Sequence, residues 1–250
     1  MEIESPKLNL HIHSTYSDGR NSIEQIVKSG IKTDLDYICI TDHFTNSWKA
    51  DHIPNLNSLD KIKRYLEELD LFKMFLVNEN KKLTLFSGIE IDLGSSEKFI
   101  FNNIAPNKFD LILFEYLESF EGIAFVKKIL NYWQKKSYAE FPLIGLAHFD
   151  PSFFITRGLD VLLEFLKEYD VIIEFNSSYP QFYSPKYDIF FNKLKEKGIK
   201  VSIGCDSHHI SSLEDIESPY KMIEFYNLVN NLKALIEFLE IKRTTYLNKI

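Results

Sequence analysis

Glycine is scarce in this 250-residue chain, with 9 in all, and neither G-x-x-x-x-G-K-[ST] nor G-x-G-x-x-G occurs. The usual glycine-rich cradles for nucleotide phosphates are therefore excluded. Cysteine is scarcer still. Cys39 and Cys205 each sit in an apolar run, which excludes a disulfide framework and suits a reducing cytoplasm. Positive charge is also short, with 29 Lys and Arg against 36 Asp and Glu and a net charge of −7. An acidic chain gains nothing from counterion release, so stable binding to a nucleic-acid backbone is not expected. Acidity does not exclude a phosphorylated substrate where bound cations supply the positive charge locally. No apolar run reaches the roughly 18 residues of a membrane-spanning helix. The opening MEIESPKLNLHIH has no basic stretch followed by an apolar core, so no signal peptide is expected either.

What the chain does have is apolar material in short pieces. Seven segments read as strands: 8–13, 37–42, 83–91, 110–115, 143–148, 171–176 and 200–206. They are rich in Ile, Leu, Val and Phe without strict alternation, as strands covered on both faces are. Helical spacing falls between most of them, at 22–29, 59–78, 123–134, 159–168 and 190–197, with another amphipathic stretch at 228–239. Alternation of strand and helix along the whole chain argues for a parallel α/β sheet. Seven repeats fit a closed or nearly closed barrel better than an open one, and no polar linker divides the chain, so one domain over 1–250 is expected. The segment 94–107 reads as loop.

The chemistry-bearing residues cluster at strand ends. Of the seven histidines, His11, His13, His43, His148 and His208 lie at or just past the C-terminal end of a predicted strand, the rim on which barrel active sites are built. In His11-Ile12-His13 the two imidazoles are two residues apart and share one face of a strand. Asp206-Ser207-His208 repeats the spacing with a carboxylate, and such a mixed set suits Zn²⁺, Mn²⁺ or Fe²⁺. Glu90 ends a strand and has two oxygens with which to bridge two cations. Asp42, beside His43, is placed to orient an imidazole from behind. One histidine after a strand is ordinarily a hydrogen-bonded rim residue. Five of them, with Glu90 and Asp206, read as a metal centre. His52, in a polar loop, reads as surface, and His209 fits core, solvent or substrate.

The run Leu10-His11-Ile12-His13-Ser14-Thr15-Tyr16-Ser17-Asp18-Gly19, followed by Ile40-Thr41-Asp42-His43, resembles the opening of the PHP domain, named for polymerase and histidinol phosphatase. Gly88-Ile89-Glu90, Ala147-His148, Ile173-Glu174-Phe175-Asn176 and Gly204-Cys205-Asp206-Ser207-His208 resemble its later motifs in order. The resemblance, from about residue 8 to about residue 210, implies a distorted seven-stranded TIM-like β/α barrel and two or three divalent ions, zinc, manganese or iron. By that resemblance, His11, His13, Glu90 and Asp206 hold one ion. Glu90 bridges to a second that His148 also binds, and Asp18, His43 and His208 hold a third. The family's further histidine, shortly after an aspartate like Asp110, is missing. The region reads Leu113-Phe114-Glu115-Tyr116-Leu117-Glu118, where Glu115 or Glu118 could substitute. Phe149 stands where a proline is common.

The implied activity is hydrolysis of a phosphate ester, most simply a small phosphomonoester such as histidinol phosphate or a nucleotide. The metals would lower the pKa of a bound water and give hydroxide for in-line attack on phosphorus. Glu90 would set the metal spacing, with Asp42 and Glu174 orienting ligands. Arg157 or Arg20 would grip the phosphate, and His208 or His209 would protonate the leaving group. Each arginine also has a plain surface reading. Tyr179, Phe182 and Tyr183 either line a pocket or pack. Two other functions compete: a non-catalytic regulatory module on the same barrel, favoured by the missing histidine, and a metal-dependent amidohydrolase.

Overall fold

The computed structural model describes residues 6–136 and 141–248, so the reading of the chain's first five residues lies outside it. Its strands are β1 (Leu8–Ile12), β2 (Tyr37–Ile40), β3 (His43–Phe44), β4 (Thr84–Asp92), β5 (Leu111–Glu115), β6 (Leu143–Leu146), β7 (Val171–Asn176) and β8 (Val201–Gly204). They form a parallel path in the order β1-β2-β4-β5-β6-β7-β8, with β3 paired to β4. Every residue of β1, β2 and β5 to β8 is buried, because helices cover the sheet outside and side chains fill it inside. Ser207 closes the ring at the C-terminal rim: its carbonyl accepts from His13 N at 2.9 Å, and its N–H donates to His11 O at 3.2 Å. The result is a nearly closed, seven-stave, distorted TIM-like barrel.

The second stave departs from the sequence expectation. Instead of running unbroken over 37–42, it stops at Ile40 and resumes as β3. Asp42 accepts hydrogen bonds from the backbone and hydroxyl of both Ser14 and Ser17, at 2.5 to 3.1 Å. The backbone of Thr41 and Asp42 still bonds to the neighbouring staves, Thr41 N donating to Ile12 O at 2.8 Å and Glu90 N to Asp42 O at 3.1 Å, and β3 then pairs His43 with Glu90. The long β4 serves both halves, pairing with β2 through Ser87 and with β5 from Gly88.

Helices α1 (Ile23–Gly30), α2 (Leu59–Asn78), α3 (Glu97–Asn103), α4 (Phe120–Lys135), α5 (Ser152–Arg157), α6 (Leu159–Glu168), α7 (Asp188–Lys197), α8 (Glu217–Phe225) and α9 (Val229–Leu247) fill the connections. Helix α1 starts at a capping box between Ser22 and Gln25, which satisfies two otherwise unpaired N–H groups. In α2, Tyr65 donates from its hydroxyl toward Ile40 O and Gly88 O, at 2.7 and 2.9 Å, and so fixes the helix across β2 and β4. The loop reading of 94–107 is corrected, since α3 and a 3₁₀ turn at Pro106–Lys108 occupy it. With seven residues and one buried side chain, Ile100, α3 shows too few turns for a period to register. It is held by stacking of Phe99 on Phe44 and Phe101 on Tyr132. Helix α9 runs past the expected 228–240, its last turns lying on the surface. It is anchored by buried Asn231, whose amide donates to Leu194 O and Ile199 O. One apolar core runs from Leu8 to Leu239, and no helix among the described residues is long and apolar enough to cross a membrane.

Candidate metal centre

At the C-terminal rim the strand ends bring their polar side chains to one point. The rings of His11 and His13, from one face of the β1 end, are 5.0 Å apart, and their Nε2 atoms meet at 3.1 Å. Asp206, just past β8, brings Oδ1 to 2.9 Å from His13 Nε2 and 3.5 Å from His11 Nε2. From β4, Glu90 places Oε1 3.4 Å from His11 Nε2 and 3.2 Å from His148 Nε2, and Oε2 2.8 Å from His43 Nδ1 and 3.5 Å from His13 Nε2. A neighbouring group forms around Asp18 Oδ1, 3.2 Å from His208 Nε2 and 3.7 Å from His43 Nε2. Rim backbone is bent to aim these side chains: His148 and Asp206 have φ of 32° and 50°, and Tyr116 has 65°. For a bulky tyrosine that is an outlier of the kind found at functional sites.

Hydrogen bonds behind the imidazoles fix their tautomers. His11 Nδ1 faces Glu174 Oε1 at 2.9 Å, and His208 Nδ1 faces the Asp206 carbonyl at 2.8 Å. Both partners only accept, so each Nδ1 carries the proton and each Nε2 lone pair points inward. His13 Nδ1 meets Ser17 Oγ at 3.3 Å, and that hydroxyl donates onward to Asp42. Asp42 therefore orients an imidazole from behind, and that imidazole is His13, reached through Ser17. Glu174 has the expected orienting role and also accepts from His148 N at 2.7 Å.

These residues fit divalent cations. Glu90 is fully buried, yet neither of its oxygens receives a hydrogen bond, and Asp18 Oδ1 is likewise unpartnered. A buried carboxylate in that state is costly unless a cation completes it. Burial opposes ionisation of Glu90, but the imidazoles of His11 and His43 outweigh it and hold the carboxyl well below its ordinary range. His43 shows the reciprocal effect. Burial pulls it down, while Glu90 and Glu115 carry it up to about 10. Protons favoured in this way occupy the positions that a bound divalent ion would take by displacement. The ligand atoms group as His11, His13 and Asp206; as Asp18, His43 and His208 with His13; and as His43, Glu90 and Glu115.

The third group holds a residue the sequence did not single out. Lys49, in the 3₁₀ turn Trp48–Asp51 after β3, places its Nζ 2.8 Å from both oxygens of Glu115 and 3.4 Å from His43 Nδ1. Burial works against this ammonium, yet Glu115 and Glu90 hold its pKa above the ordinary lysine value. A loop lysine carries no period or motif, so nothing local distinguishes it. Glu115, not Glu118, is the acid that reaches the cluster, for Glu118 is exposed.

Other candidates lie elsewhere. His209 is exposed and caps the 3₁₀ turn Ile210–Ser212 through Ser211, not the cluster. Arg157 is exposed and stacks its guanidinium on Phe153, with no contact to the cluster among the described residues. Arg20 is exposed too, although its N–H donates to His208 O at the edge of the site. Of the three aromatics after β7, Tyr179 stacks on His148 at 4.4 Å, while Tyr183 packs, its hydroxyl bonded to Asn176 O. His52 is exposed.

The family model described as the PHP domain matches residues 9–178. The DNA polymerase/3'-5' exonuclease PolX of Bacillus subtilis (strain 168) is 23% identical over 229 residues, 87% of this chain and 37% of that protein. The chain thus spans little more than a third of that relative's length. Among solved structures, the histidinol phosphate phosphatase HISK of Lactococcus lactis subsp. lactis Il1403, complexed with zinc, L-histidinol and phosphate, aligns with a TM-score of 0.58 at 17% identity. The alignment covers 88% of this chain and 93% of that one. A chain from the structures of YwqE from Bacillus subtilis and CpsB from Streptococcus pneumoniae, metal-dependent tyrosine phosphatases, aligns at 0.50 and 16% identity with the same coverage. Both are likenesses of fold, and both share the barrel whose rim carries this cluster. With the family match over more than half its length and the motif residues converging on one rim, this chain belongs to the PHP domain family.

Proposed function

We propose that this chain is a metal-dependent phosphoesterase, a hydrolase acting on a small phosphomonoester. One observation carries the reading: Glu90 is buried with both oxygens unpartnered, and Nε2 or Nδ1 atoms of four histidines stand 2.8 to 3.5 Å from them. His11, His13, Asp206 and Glu90 would hold one ion, and Asp18, His43 and His208 another. His148 would add to Glu90 from the β6 side. Divalent ions there supply Lewis acidity, activating water near neutral pH and offsetting the charge on phosphoryl oxygens.

The chain's own residues do the rest. Glu174, Ser17 and the Asp206 carbonyl keep Nδ1 protonated and three imidazoles in register. Tyr179, stacked on His148, would wall one side of the site. His208, about a third exposed, stands at the open edge with Nε2 toward Asp18 and Nδ1 on the Asp206 carbonyl. The relatives include a zinc-bound histidinol phosphate phosphatase, which makes zinc the first metal and histidinol phosphate an early substrate to try. The two free, buried cysteines suit a reducing cytoplasm.

The test is elemental analysis of the purified protein with a phosphate-release screen on the same sample. Two or more equivalents of zinc, manganese or iron with monoesterase turnover is the expected result. His13→Ala and Asp206→Ala should each lose metal and at least 100-fold in turnover while keeping the native circular-dichroism spectrum, and full activity in both sinks the reading. A non-catalytic module is favoured only by Lys49 and Glu115 standing near the missing histidine. Metal binding with no turnover across monoesters, diesters and amides would support it.

A further inference from the structure

Three ligand groups are present, and they share ligands, so a third ion would be the most loosely held. A neutral imidazole has one lone pair. His43 faces the Asp18 group through Nε2, at 3.7 Å, and the Glu90 and Glu115 group through Nδ1, at 2.8 and 3.5 Å. It can ligate in one of them only. His13 is constrained in the same way, for its Nδ1 is committed to Ser17 and its Nε2 to the Asp206 side.

The geometry points to Lys49 as the cation of the third group: we propose that its ammonium stands beside Glu115, Glu90 and His43 Nδ1 in place of a divalent ion, leaving two ions at the other groups. Three observations support this. The Lys49 side chain is 13% exposed and Glu115 1%, so the pair is built into the rim rather than lying on it. Nζ bonds both oxygens of Glu115 at 2.8 Å and comes 3.4 Å from His43 Nδ1, within the space those ligands would close around an ion. Tyr116, in its strained left-handed backbone, lays its ring 5.3 Å from the ammonium, within range of a cation–π attraction. A tethered single charge neutralises the carboxylates without adding Lewis acidity.

The inference rests on the metal reading above, and the experiment separates the two. Native protein, Lys49→Met, and the double variant Lys49→Met with Glu115→Gln are loaded with excess zinc, freed of unbound metal and analysed for zinc per chain. The expected counts are two for native protein, three for Lys49→Met, with the added ion the first to leave under a mild chelator, and two again for the double variant. Three equivalents in native protein overturns the proposal, as does Lys49→Met remaining at two. The native count alone decides if the variants do not fold, as judged by circular dichroism. Less than one equivalent in native protein overturns the metal reading and this inference with it.

Discussion

Glu174 need not touch a metal ion to control one. Its Oε1 fixes His11 Nδ1 and its Oε2 accepts from His148 N and Asn176 Nδ2, so one carboxylate sets two sides of the rim. Replacing it with glutamine keeps the volume but weakens the acceptor and lowers the basicity of His11. Partners behind a ligand typically account for about 10- to 100-fold in metal affinity. Glu174→Gln is expected to fall in that range by chelator competition, with the fold intact. An unchanged affinity would show that His11 is held by packing alone.

At the scale of the element, strand ends do the positioning, and β8 shows how tightly. A Cβ built on Gly204, the last residue of β8, would come 2.0 Å from Glu174 Oε1 and 2.6 Å from His11 Cβ. Gly204 is required there because β7 and β1 bring those side chains across its face, not for any unusual backbone angle. Gly204→Ala must push Glu174 off His11, and it is expected to reduce metal affinity at least as much as Glu174→Gln does. Isothermal titration with zinc measures this. Near-native affinity would mean that the rim relaxes more freely than the barrel closure through Ser207 implies.

At the scale of the molecule, the two ends of the barrel have different tasks. The rim gathers charge that the fold cannot satisfy by itself, so metal removal should cost stability. At a free-ion concentration of 100 times Kd, a bound ion adds about 2.7 kcal/mol, which for a chain of this size is roughly 5–10 °C in Tm. Calorimetry before and after chelation checks it, and an unchanged Tm would count against the site. The opposite end is held by Asp110, which accepts from Lys73 Nζ at 2.8 Å and Ser87 N at 2.9 Å, with Lys242 of α9 at 3.9 Å. Burial pushes its pKa up, but Lys73 and these hydrogen bonds prevail and hold it below the ordinary carboxylate value. Its stabilisation is fully present above the unfolded value, near pH 4, and is lost as pH falls through the lower folded value. Asp110→Asn should cost on the order of 1–2 kcal/mol at neutral pH. The gap from native protein should hold at about pH 6 and narrow as pH drops below about 4, as followed by urea titration.

The seven staves, most of the helices and the rim histidines were legible in the sequence, because each depends on local signals. Doubly covered strands are continuous apolar runs, long amphipathic helices repeat every three or four residues, and His-x-His at a strand end places two imidazoles on one face whatever surrounds them. Local pattern also placed α2 and α6 to the residue, but it missed α3, whose two turns are too short to show a period. Tertiary structure alone decided the remainder. Closure through Ser207 joins residues nearly two hundred positions apart. Asp42 serves His13 rather than its neighbour His43, because Ser17 folds back between them. Arg157 and His209 lie close to site motifs in sequence, yet helix α5 holds the first against Phe153 and the loop after β8 turns the second toward Ser211. Lys49 enters the centre from an unpatterned loop because Glu115, on a strand more than sixty residues later, is waiting there with a buried charge. Spacing along a chain fixes which residues share a face, whereas which charges meet across the rim is set by how the staves close.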